Sequence, residues 1–119
     1  SPGGAEDIVE REAEKAGHGP CLVALIARIQ PDHPVAPESE QWISVGAALQ
    51  NVLLASEAFG FRAMIVSGRK VRSTALRDAM GLSAGEHLVG FIAMGTASQP
   101  PNQAERPRLA DHFADWTSP

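Results

Sequence analysis

Arg69, Lys70 and Arg72 form a small basic cluster. Such a cluster can attract the phosphates of a nucleotide. Its commoner use is as the solvated start of a helix. Ser67 and Gly68 stand just before it and read as a strand-ending turn. Arg106 and Arg108 lie in a proline-containing tail, where their plain reading is two solvated charges. His18, His33, His87 and His112 are scattered, with no metal-ligand spacing among them or with Cys21. Each is expected on the surface or in a loop. There is no tyrosine, so no phenolic hydroxyl serves as an acid. Ser-His-Asp, phosphate-loop, paired-carboxylate and glycine-rich dinucleotide arrangements are absent as well. The sequence therefore nominates no catalytic acid, base or nucleophile and no metal site. Trp42 and Trp116 can stack on a ring, but anchoring a helix and an arm is their more frequent use.

These residues need a scaffold, and 119 residues make one domain or part of one. Hydrophobic residues form 44% of the chain, enough for a globular core and too many for disorder. The net charge is −4 with both signs mixed, which argues against nucleic acid, whose phosphates need a basic face. No apolar run is long enough to span a bilayer. Residues 1–4 carry neither the basic region nor the apolar core of a signal peptide. The first residue is not Met, and the natural start is expected upstream. A single cysteine makes no internal disulfide and fits a reducing cytoplasm.

Residues 5–16 are charged helix formers and predict a short surface helix, broken by Gly19-Pro20. Residues 21–27 are continuously apolar and predict a strand buried on both faces, with Cys21 as a small buried hydrophobe. Residues 30–37 hold three prolines and predict a loop. A helix follows over 38–58, with Glu38 and Glu40 in its first turn as the helix dipole favours. That helix is apolar nearly all round, so it must be buried. A chain of this size has little surface to cover it, which points to another polypeptide or a missing half. Gly46, Ala47 and Ala48 would permit close helix approach at a dimer seam, in preference to packing on the chain's own sheet. Gly60 closes the helix. Residues 61–66 predict a second strand, 71–80 an amphipathic helix capped by Gly81, and 88–94 a third strand. The boundaries drawn are a domain over 1–97 and an extended arm over 98–119. Alternating helices and strands predict an α/β layered sheet, here a thin one.

Several phrases then align with one family. Gly19-Pro20-Cys21-Leu22-Val23 resembles the entry into a core strand of FMN-dependent nitroreductases. His33-Pro34-Val35-Ala36-Pro37 with Glu40-Gln41 resembles the loop before their central helix. Ser44 to Asn51 resembles that helix, rich in small residues. Ala58-Phe59-Gly60, Ser67-Gly68, Ala79-Met80-Gly81-Leu82, Gly85-Glu86, Leu88-Val89-Gly90-Phe91 and Met94-Gly95-Thr96 follow in family order.

The resemblance implies the α+β fold of that family. It would be a small three-layer sheet-and-helix domain, the C-terminal half of the protein, completed by dimerisation. It implies FMN, with NAD(P)H as reductant and a small nitroaromatic or quinone-type acceptor. It would set Ser67 and Gly68 against the flavin ring, and Arg106 and Arg108 toward the FMN phosphate. The family's N-terminal arginine- and serine-rich flavin-phosphate motif is not in this sequence. Ile65-Val66 stands where close relatives often carry a tryptophan-arginine pair. The alternative is a shortened, non-catalytic relative, an oligomeric scaffold or a weak flavin or ligand binder.

Overall fold

The computed structural model describes residues 21–96 and 103–117. The expected helix over 5–16 lies outside them. Strand β1 (Cys21–Arg28) leads through the proline loop to helix α1 (Glu38–Ala58). Strand β2 (Arg62–Val66), a 3₁₀ turn (Arg69–Arg72), helix α2 (Thr74–Ala79) and strand β3 (Glu86–Gly95) follow. A second 3₁₀ turn, Leu109–Asp111, is the one regular element among the described residues of the tail.

The sheet order is β1-β3-β2, and both pairings are antiparallel. Together with the helices this makes an α+β fold. The central strand β3 carries the core, since Phe91, Ile92 and Ala93 are all buried. Residues directly opposite one another in an antiparallel pair share a face. One face therefore collects Leu22, Ala24, Phe91 and Val66. Val71, Leu76 and Phe91 form its buried cluster, with Leu22, Ala24, Met80 and Leu88 packed around them. The other face collects Val23, Ile92, Ile65 and Met94, and α1 lies against it. Ser56, the one buried polar residue among those described, donates to the Val52 carbonyl at 2.9 Å and touches the Met94 sulfur at 3.2 Å. Helix, sheet and short helix make three layers.

Local chemistry sets the element ends. Gln41 fixes the approach to α1: its side chain accepts from Gln30 N–H and donates to the carbonyls of Gln30 and Ala36 at 2.8–2.9 Å. His33 Nδ1 accepts from Val35 and Ala36 N–H and holds the same loop. At the other end Gly60 takes φ 88°, which lets Phe61 N–H reach Ser56 O and Gly60 N–H reach Glu57 O. Gly81 (φ 67°) closes α2 with the same pair of bonds.

Two sequence expectations are corrected, on the 71–80 helix and on β1, while the reading of α1 stands. Residues 71–80 are not one helix. The chain first makes a 3₁₀ turn, then restarts at Ser73, whose hydroxyl accepts from Leu76 N–H at 3.1 Å. Strand β1 is an edge strand with alternating exposure rather than one buried on both faces, and Cys21 is exposed. Helix α1 is apolar all round yet mostly uncovered by this chain: Ile43 is 71% exposed, Leu54 55% and Trp42 40%. Gly46, Ala47 and Ala48 are also exposed, so they do not pack on the chain's own sheet.

Candidate functional site

The turn after β2 is where the sequence-nominated residues meet the sheet. Val66 still pairs with Phe91, and the chain then leaves the sheet at Ser67. Gly68 has φ 147° and ψ −168°, a conformation that side chains rarely adopt, and its carbonyl accepts from Val71 N–H at 3.2 Å. Buried Val71 roots the following 3₁₀ turn in the core, leaving Arg69 and Arg72 exposed. Ser67 is exposed and Gly68 half-buried. Among the described residues, no loop or turn hydrogen bond is donated by the N–H of Ser67, Gly68 or Arg69. The Ser67 hydroxyl has no partner there either. The turn thus presents donors that the fold does not consume.

The two tail arginines differ from each other. Arg108 forms a forked pair with Asp111, at 3.2 Å from Nε and 3.1 Å from Nη2. Arg106 is exposed and makes no such bond among the described residues. The described tail, 103–117, is exposed along its whole length.

A polar clasp fixes the start of β3 behind the turn. Arg77 Nη1 donates to Glu86 O at 2.6 Å, and its Nη2 donates to Ser83 O. Glu86 Oε1 accepts from both Ser83 N–H (2.9 Å) and Ser83 Oγ (2.8 Å), while Oε2 lies 3.7 Å from Arg28 on the neighbouring strand. The Ser83 backbone bond, then its hydroxyl and Arg28, hold the Glu86 carboxyl below the usual carboxylate range. His87, expected in a loop or on the surface, is instead half-buried in β3 and meets Trp42 edge-on, with centroids 5.4 Å apart at 65°. No sequence signal pairs those two residues, because the contact joins α1 to β3 across the fold.

Two clefts flank these elements. One, of about 180 Å³, lies between the 3₁₀ turn, α2 and β3, and includes Arg72, Ser73, Arg77 and His87. The other, of about 400 Å³, lies between Arg28 and the first turns of α1 at Glu40, Gln41 and Ser44. No cluster of three or more His, Cys, Asp or Glu able to hold a metal occurs among the described residues. No helix among them is long and apolar enough to cross a membrane.

The sequence pattern of the nitroreductase family matches residues 5–96. The chain belongs to the nitroreductase family. Its relatives include a Haemophilus influenzae protein provisionally named an NAD(P)H nitroreductase, 33% identical over 80% of this chain and 50% of that protein. An Escherichia coli protein named in the same provisional way is 28% identical over 79% of this chain and 51% of its own length. The chain thus spans about half the length of the curated relatives it matches. In fold it resembles a nitroreductase-like family protein from Bacillus cereus, with a TM-score of 0.75 at 16% identity, covering 97% of this chain and 60% of that one.

Proposed function

We propose that this chain supplies the C-terminal half of an FMN-dependent NAD(P)H oxidoreductase that reduces nitroaromatic or quinone-type acceptors. The observation that carries the reading is the Ser67-Gly68 turn: unspent N–H donors at the end of β2, in a nitroreductase-family chain. Those donors suit the electron-rich edge of a flavin, and the exposed guanidinium of Arg106 suits a phosphate. The residues present therefore fit one side of the cofactor.

Bound FMN would supply two-electron chemistry, taking hydride from NAD(P)H and giving it to the acceptor. This chain's part is positioning. Ser67, Gly68 and Arg69 N–H groups would hold the ring edge and favour negative charge there without having to reorganise. Arg106 would hold the phosphate. Arg108 would join it only by releasing Asp111. Residues 1–97 would form the domain and 98–119 the arm that brings these arginines in. The exposed apolar side of α1 would be covered by a second copy or by the remaining half of the protein, which would also close the flavin site against water. A cytoplasmic location accords with the single, unpaired cysteine.

One observation favours the alternative, a non-catalytic scaffold. Ile65 packs onto Gly90, and Val66 pairs with Phe91 in the core face. The positions where relatives place a tryptophan-arginine pair thus serve packing. NAD(P)H oxidation by the purified chain with added FMN and a nitroaromatic acceptor separates the two. FMN-dependent turnover supports the enzyme; a flat baseline at saturating FMN leaves the scaffold.

A further inference from the structure

The cleft beside the 3₁₀ turn has the composition of an anion site. Four of the chain's 10 Lys and Arg residues fall between 69 and 77, in a chain of net charge −4, and no carboxylate interrupts them before Asp78. Val71, Leu82 and Leu88 supply apolar lining, and Arg72, Ser73, Arg77 and His87 supply the rest. The Arg72 side chain makes no hydrogen bond or ion pair among the described residues. The Ser73 hydroxyl accepts from Leu76 N–H, so its own proton remains available to donate. Arg77 spends its donors on two backbone carbonyls but keeps its charge at the cleft wall. No carboxylate lines the cleft.

Its volume, about 180 Å³, decides what kind of occupant suits it. Sites that take a whole small molecule run to roughly 300–1,000 Å³. This one suits a single anionic group whose parent molecule lies elsewhere. It begins one 3₁₀ turn beyond Gly68, about 8 Å along the chain at the usual rise.

We infer that the Arg72, Ser73 and His87 cleft binds a phosphate monoester, the extra ribose phosphate that distinguishes NADPH from NADH. This rests on the flavoprotein reading of the neighbouring turn and names its reductant. A dinucleotide whose nicotinamide lies on the flavin extends well past the ring, and its ribose phosphate needs an arginine to receive it. A guanidinium with open donors and a hydroxyl beside it supplies charge-assisted bonds to such a dianion.

The test is calorimetric titration of the full chain with NADP+ and with NAD+, each with and without FMN. The expected result is that NADP+ binds about tenfold or more tighter than NAD+. Arg72→Ala should erase that difference, and Arg72→Lys should keep part of it. Arg72 is exposed, so neither change threatens the fold. Equal affinities in the unmodified chain, no binding of either nucleotide, or a preference that survives Arg72→Ala would overturn the assignment. A parallel titration with FMN and riboflavin separates the other phosphate source. If Arg72→Ala weakens FMN but not riboflavin, the cleft serves the flavin phosphate and the reductant assignment fails. FMN binding without any nucleotide preference sinks this inference alone, whereas absent FMN binding sinks the flavin reading.

Discussion

Ile65 lies directly over Gly90: a Cβ placed on Gly90 would come within 2.9 Å of Ile65 Cδ1 and 2.7 Å of the Val66 carbonyl oxygen. The edge strand β2 thus closes onto the central strand with no room for a side chain. Gly90→Ala is expected to destabilise the chain by roughly 1–3 kcal/mol, the usual cost of overpacking. Urea denaturation measures it. Adding Ile65→Val should recover only part, because the backbone oxygen cannot move aside as a side chain can. Full recovery would place the strain wholly in the side chain.

Ser73 restarts the chain after the 3₁₀ turn by capping α2. Ser73→Ala should cost about 1 kcal/mol, read as a lowered denaturation midpoint with unchanged slope. Ser73→Gly should cost only a few tenths. A silent Ser73→Ala would mean that burial of Leu76 and Val71 alone holds the segment.

Glu86 gives the acid limb of stability a specific source. Its folded carboxyl titrates below the ordinary value of 4.5 because Ser83 and Arg28 favour the charged form. A depressed carboxylate stabilises the fold above its unfolded pKa, and that contribution is lost as pH falls through the folded pKa. Stability should therefore decline below about pH 4.5, and Glu86→Gln should flatten part of that decline while lowering stability at neutral pH. Identical acid limbs for the two proteins would remove Glu86 as the cause.

Helix α1 leaves Ile43, Leu54 and Trp42 in contact with solvent. Large apolar side chains exposed along one helix mark a candidate interface. Light scattering should give a mass of at least twice 12.6 kDa for the isolated chain, and Ile43→Lys should shift it toward the monomer. A soluble monomer before any substitution would show that a second copy does not cover this face.

How far the sequence could be read depends on where its signals are local. Helix α1 was legible to both ends because Pro37, Glu38 and Glu40 start it and Gly60 stops it. The break at Ser73 was not, since Val71, Leu76 and Met80 keep a helical spacing across a 3₁₀ turn that buries the same residues. Strand burial was misread for the same physical reason: an apolar run records what the finished assembly covers, and β1 is an edge within this chain. The Ser67-Gly68 turn was placed correctly by type, but its open donors depend on β2 leaving β3 at Val66. His87 facing Trp42 joins elements far apart in sequence and leaves no local trace, whereas the charge beside the Arg72 cleft was legible and only the cleft was not.

The proposed flavin half-site of this nitroreductase-family chain is open to FMN fluorescence titration. Saturable quenching by the unmodified chain is expected, weakened in Gly68→Ala, where a side chain at φ 147° distorts the turn. Fluorescence that stays unchanged through a stoichiometric excess of folded protein would contradict it and leave a structural relative of a flavoenzyme.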